Sequence, residues 1–120
     1  MYSYKNLTLG TCKGPEMVDS SVLVRVEAIS NYSKLYFSNG KSLVVAKLLS
    51  YFEEQLSSVH FVRLHRSHLV NIRYIRSYDY KQRDGVILAN DEFFTVAKRK
   101  RSEFRKAVTH YYTQVEAARP

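Results

Sequence analysis

Residues 61–71 read Phe61-Val62-Arg63-Leu64-His65-Arg66-Ser67-His68-Leu69-Val70-Asn71, and the fold is read outward from this run. Its first four residues alternate apolar and charged, as a strand does when one face is buried and the other meets water. Four hydrogen-bonding side chains follow, His65, Arg66, Ser67 and His68, before the apolar pair Leu69-Val70 and Asn71. A core strand does not carry four polar residues in succession, and a solvated loop has little use for Phe61, Leu64, Leu69 and Val70 beside it. The pattern is that of a short polar elbow held between two buried anchors, which suits presentation of Arg66 to a ligand. A guanidinium fork so held can grip a phosphate with two hydrogen bonds or read the O6 and N7 edge of guanine.

Upstream of the elbow, residues 2–9 alternate loosely and suggest an edge strand, and 11–15, with Gly14 and Pro15, a loop. Residues 21–29 are rich in β-branched side chains and predict a strand. The segments 34–37 and 42–46 flank Ser38-Asn39-Gly40-Lys41, and an Asn-Gly pair between such runs signals a hairpin. Over 47–57 the period changes: Leu48, Leu49, Phe52 and Leu56 share one helical face, with Glu53 and Glu54 opposite. Downstream, 72–80 reads as a strand, 81–85 as a hairpin loop, 86–88 and 92–96 as strands around the turn Asn90-Asp91. Residues 97–114 have helical periodicity, with Phe104, Val108, Tyr111 and Val115 as the inward stripe. The expectation is a mainly β domain of small antiparallel sheets with two helices.

Composition narrows the function. A chain of 120 residues, 45% hydrophobic and 25% charged, is an ordinary globular domain by length and patterning. Cys12 is the single cysteine, so no internal disulfide forms, and together with the lack of an N-terminal apolar run this suggests a cytoplasmic setting. No stretch of about 18 apolar residues is present to span a membrane. The net charge of +8 is lopsided: residues 1–60 carry six Lys/Arg against five Asp/Glu, and 61–120 carry thirteen against six. An excess confined to the half that holds the elbow is the footprint of a polyanion binder, although a basic face kept for solubility has the same composition.

The run Arg63-Leu64-His65-Arg66-Ser67-His68-Leu69-Val70-Asn71 resembles the signature of the LytTR family of bacterial DNA-binding domains, often joined to response-regulator receivers. The resemblance extends over residues 20–108. Val26-Glu27-Ala28 leading to Asn31-Tyr32, the turn Asn39-Gly40-Lys41, the helix at 47–56, the strand at 86–88 and the segment 93–99 all follow the family's order. It implies a LytTR-like β-sandwich that reads DNA with loops, a domain over 20–113, an N-terminal edge strand or arm over 1–19 and a polar tail over 114–120. It also implies binding of two copies to adjacent direct repeats. No receiver precedes the domain in this sequence, so a stand-alone regulator or an excised domain is expected. The target sequence, the controlling signal and any regulatory protein partner are left open.

Three loops are candidates for the chemistry. In the elbow, the resemblance assigns Arg66 to DNA contact; His65, Ser67 and Asn71 either donate to phosphates or satisfy the backbone of the bend. In Lys98-Arg99-Lys100-Arg101, four adjacent cations oppose the dipole at a helix start, a conflict that a bound phosphate relieves. The resemblance implies base contact by Arg99; Lys98, Lys100 and Arg101 read as phosphate contacts, although a solvated helix face accounts for Arg101 as well. The loop at 30–34 suits a groove edge and plain turn chemistry equally. The resemblance places a contacting loop here, which points to Ser33 for base reading and Lys34 for phosphate, while Tyr32 reads as packing the loop in place. Ala97 stands where the family usually has a small hydroxyl residue, which removes one phosphate hydrogen bond.

Other chemistries fit poorly. His65 and His68 lack a third and fourth metal ligand at suitable spacing, so no metal or other cofactor is expected. Ser67 between two histidines on an extended elbow is not a triad, and no enzyme activity is expected. The expected partner is double-stranded DNA. The alternative is a basic RNA-binding module in which some of the ten tyrosines and six phenylalanines stack on unpaired bases.

Overall fold

The computed structural model describes residues 5–79 and 81–118, with side chains to residue 115. Among the described residues, ten strands form three antiparallel sheets. β1 (Asn6–Thr11) and β2 (Gly14–Asp19) make a separate hairpin. β3 (Leu23–Ile29), β4 (Tyr32–Phe37), β5 (Ser42–Val45), β6 (Phe61–His65) and β7 (His68–Asn71) form a five-stranded sheet in the order β5-β4-β3-β7-β6. β8 (Ile75–Asp79), β9 (Gly85–Leu88) and β10 (Phe93–Thr95) form a three-stranded meander. α1 (Leu49–Leu56) precedes the elbow, and α2 (Arg101–Ala118) closes the chain.

The mainly β expectation holds, with local corrections. The segment 11–15 is not a continuous loop: Cys12 and Lys13 alone turn the β1–β2 hairpin, whose alternation buries Leu7, Leu9 and Val18. Leu48 does not join the inward face of α1. It is the residue before the first turn, in extended backbone, and is 56% exposed. Residues 72–74 form a 3-10 turn rather than the start of a strand, and 98–100 another, so α2 begins at Arg101. Helical backbone continues to Ala118, through part of the segment read as a polar tail. The edge strand expected at 2–9 lies partly outside the described residues.

Strand β6 departs from a one-sided pattern. Phe61, Val62 and Leu64 are all buried, because the five-stranded sheet is covered on both faces. One face, with Leu23, Val26, Leu35 and Leu69, packs on α1 through Phe52 and Leu56 and on the hairpin through Leu7 and Leu9. The other, with Val24, Val62, Leu64 and Val70, packs on the meander through Val86 and Leu88 and on α2 through Phe104 and Val108. Period-two alternation thus feeds two cores from one strand. In β3 a bulge between Leu23 and Arg25 shifts the phase, so Leu23 and Val26 share a core. At about 25 cal/mol per Å² of apolar surface, each fully buried Leu or Phe contributes roughly 2 kcal/mol.

Turn chemistry sets the register. Gly40, at φ 86°, supplies the left-handed conformation between β4 and β5, while the Asn39 carboxamide oxygen accepts from the Lys41 N–H at 2.9 Å. The β3–β4 connection is only Ser30-Asn31, with Ser30 at φ 55°. Ser33 and Lys34 therefore lie in β4 and not in a loop.

Candidate nucleic-acid interface

Three backbone hydrogen bonds stitch four chain segments side by side. Ala28 N–H, near the end of β3, donates to the Ser67 carbonyl at 2.9 Å; Ala97 N–H donates to the Leu64 carbonyl at 2.8 Å. Val96 N–H donates to the Asp84 carbonyl at 3.2 Å. The β3–β4 turn, the elbow, the basic step at 98–100 and the β8–β9 loop are thereby neighbours. The β3–β4 turn, the elbow and the basic step, more than 30 residues from one another in sequence, meet only because β3 pairs with β7 and β6 packs under α2.

The elbow is the two-residue connection Arg66-Ser67 between β6 and β7. Its rigidity comes from Arg63, whose guanidinium donates from Nε to the His65 carbonyl at 3.0 Å and from a terminal nitrogen to the Arg66 carbonyl at 2.5 Å. The same group bonds Glu53 of α1 at 2.8 Å. One cation thus fixes two carbonyls of the bend and ties them to the helix. His65 Nδ1 accepts from the Ser67 N–H at 3.3 Å, and Ser67 is half-buried. Asn71 is buried: its Nδ2 donates to the Ser20 and Leu23 carbonyls, and its Oδ1 accepts from the Arg73 N–H. Asn71 supports the bend from inside. Arg66 is exposed, and its guanidinium has no ion pair or hydrogen bond among the described residues. The bracing role of Arg63 was not read from the sequence; the signal for it is a charged residue between apolar Val62 and Leu64, with an acid, Glu53, on the preceding helix.

The basic step divides its charges. Lys98 and Arg99 are exposed, with no partner among the described residues, and Lys100 is half-buried. Arg101 turns inward: its Nε lies 3.0 Å from Asp84 Oδ2 and 3.3 Å from the Val96 carbonyl. Asp84 is 1% exposed and also receives Arg105 at 2.9 Å and the Tyr78 hydroxyl. Burial works against its charge, but the bonds from Tyr78 and Arg105 and the nearby Arg101 outweigh it, and the carboxyl is held below its ordinary value. This buried acid, with Glu103 in the first turn, meets part of the dipole conflict at the start of α2. Arg101 is accordingly a bracing residue. Ala97 offers no side-chain cap to the 3-10 turn at 98–100 that leads into α2.

Ser33 cannot read bases directly. It is 0% exposed, and its hydroxyl donates to the Lys47 carbonyl at 2.7 Å, so it joins β4 to the entry of α1. Its place as an outward polar residue passes to Ser30 and Asn31, both exposed at the turn. Lys34 is half-buried, its ammonium 5.1 Å from the Tyr36 ring centre. Tyr32 does not pack the loop as expected; it is 51% exposed. Beneath this side, Arg25 is buried and bonds both carboxylate oxygens of Glu92, at 3.0 and 2.8 Å, with its guanidinium 3.7 Å from the Tyr36 ring centre. That pair ties β3 to the β9–β10 turn.

Residues 16–109 match the model of the LytTr DNA-binding domain. The chain belongs to that family. A solved LytTr DNA-binding domain from Bacillus cereus superimposes with a TM-score of 0.72 and 25% identity, over 88% of this chain and 98% of that one. A CO-responsive transcriptional regulator of Rhodospirillum rubrum is 26% identical over 84 residues, which is 70% of this chain and 35% of the regulator. The chain therefore spans about a third of that relative's length. Small antiparallel sheets with two helices are the shared LytTr fold. The helices of this LytTr domain are too short or too polar to cross a membrane, and no cluster of three or more metal-ligating side chains occurs among the described residues.

Proposed function

We propose that this LytTr domain is a sequence-specific reader of double-stranded DNA in transcription regulation. The observation that carries this is the pairing of a braced elbow with an unpartnered guanidinium: Arg63 and Asn71 hold the bend while Arg66 is left exposed. A fixed fork with unspent donors suits recognition of a base edge, whereas phosphate binding alone needs no such bracing. Arg66 and Arg99 read base edges in the major groove, and Lys98, Lys100 and Lys34 contact phosphates. His65, Ser67, Asn71 and Arg101 support these loops.

A few residues per domain give limited specificity, so two copies on adjacent direct repeats supply operator affinity through their combined sites. The relative in Rhodospirillum rubrum, named as a transcriptional regulator, supports the regulatory role. An RNA-binding role lacks comparable support, because Phe52, Phe61, Phe104 and Tyr111 are in the cores and do not form a stacking platform.

Selection from random duplexes at about 0.15 M salt, where non-specific phosphate binding is weakened, tests the reading. Two short direct repeats at fixed spacing are expected to emerge. Binding with no sequence enrichment, or a preference for single strands, overturns it.

A further inference from the structure

Beyond the elbow and the basic step, the loop between β8 and β9 carries its own unspent charge. Lys81 and Arg83 are exposed, and neither side chain has an ion pair or hydrogen bond among the described residues. The chain achieves this by an unusual turn. Arg83 and Asp84 are consecutive left-handed residues, at φ 56° and 52°, without a glycine at either place. Such backbone is costly for each residue and persists only where the surroundings impose it. Here Asp84 imposes it, because its buried carboxylate is fixed by Arg101, Arg105 and Tyr78. The turn takes the acid inside and leaves the adjacent arginine outside.

The loop's outward charge is therefore mainly cationic. Asp79, at the end of β8, is the exposed acid on the same hairpin, and its carboxylate accepts from the Lys81 backbone N–H at 2.9 Å. A cleft of about 420 Å³ separates the loop from β10, lined by Lys81, Gln82, Arg83, Phe93 and Thr95. Phe93 is 60% exposed, and its ring edge lies against the Cα of Gly85, where an added Cβ would come within 2.8 Å of it. Phe93 and Thr95 also line the cleft on the elbow side, with His65 and His68. The loop thus borders the candidate interface without belonging to its three loops.

We propose that Lys81, Arg83 and Phe93 form a further contact to the DNA backbone, flanking the bases read by the elbow. Lys81 and Arg83 neutralise two phosphates, and the exposed Phe93 ring packs on the sugar between them. The assignment rests on the DNA-binding reading above, but its signature is sequence-independent. Each phosphate contact contributes about 0.9 to the slope of log affinity against log salt.

The test compares the parent chain with the double variant Lys81→Gln/Arg83→Gln on a selected duplex and a random duplex, across a salt series. The double variant is expected to lose about 2 from the slope on both duplexes, and on the order of tenfold in affinity near 0.15 M salt. Phe93→Ala is expected to weaken binding with the slope unchanged, because a sugar contact releases no counterion. Thermal melting of each variant checks that the hairpin is intact. Trimming base pairs from one end of the selected duplex, and not from the other, should erase the difference between parent and double variant. An unchanged slope with sequence preference retained overturns this contact alone. A lost slope on random duplex from a protein without sequence preference keeps the contact and sinks the base-reading function. Absence of duplex binding by the parent chain overturns both.

Discussion

The elbow and the start of α2 are both arginine-rich, and they use their charge in opposite ways. In the elbow the inner arginine, Arg63, spends its donors on carbonyls of its own bend and on Glu53, and the outer one, Arg66, spends none among the described residues. At α2 the order along the chain is reversed. Lys98 and Arg99 come first and are exposed, while Arg101 and Arg105 follow and are committed to buried Asp84. The difference teaches that charge counted in a sequence is not charge available to a ligand. Each basic region divides into bracing and presenting residues, and the division follows where an acid or a bare carbonyl lies in three dimensions.

The strongest way to break this comparison is to remove the acid. Asp84→Ala leaves Arg101 without its inward partner and a strained turn without its anchor, so a loss of about 3 kcal/mol in unfolding free energy is expected from urea titration. A loss below about 1 kcal/mol would mean that the cluster is ornamental and that Arg101 is free after all. Next in size, Arg66→Ala should cost about 2 kcal/mol of affinity on a selected duplex and much less on a random one, with the melting temperature unchanged. Equal losses on both duplexes would place Arg66 on a phosphate.

Arg63→Met sharpens the contrast between bracing and presenting. It removes charge-assisted bonds to two carbonyls and should lower stability and specific affinity together, each by roughly 1.5 kcal/mol. Loss of affinity without loss of stability would make Arg63 a ligand contact. Smaller again is the comparison of Lys98→Gln with Arg101→Gln. The first should lower the salt slope by about 1 and leave stability alone, and the second should do the reverse. Matching slopes for the two would dissolve the division at α2.

The gentlest probe is pH. Hydrogen bonds from Arg25 hold Glu92 below the ordinary carboxylate value, and the cluster around Asp84 does the same there. Their contribution is complete above a pH of about 4 and is lost as acid titrates the folded carboxyls. Burial lowers His68 and His60, helped by nearby cations and by His110 respectively, so the folded state favours the neutral rings. That contribution is complete above a pH of about 6.5 and declines as pH falls toward the lowered values. Urea midpoints at three pH values should therefore drop slightly from 7.5 to 5.5 and more from 5.5 to 3.5. A midpoint that rises on mild acidification would contradict the histidine assignment.

Much of this molecule is legible in one dimension, and the reason is periodicity. Alternation marks β6, β-branched side chains mark β3, the 3.6-residue stripe of Phe104, Val108 and Tyr111 marks α2, and Asn39-Gly40 marks a hairpin, because each signal is local. The polar interruption after Leu64 likewise announces an exposed Arg66. What stayed hidden is non-local. Ser33 reads as a loop residue until the two-residue turn Ser30-Asn31 pulls it into β4 and buries it beside Lys47. Arg101 reads as an outward cation for phosphate until Asp84, seventeen positions earlier, claims it. Phe61 and Val62 read as two faces of one strand, but the sequence does not say that both faces are covered, since that depends on a helix and a meander arriving from opposite sides.

The chain's order of elements, its basic second half and the outward Arg66 are thus written in the sequence, where short-range sterics and hydrophobic period fix them. Which cations brace and which face solvent was decided only by tertiary structure, because ion pairing and burial depend on distances between segments that the chain brings together only when it folds.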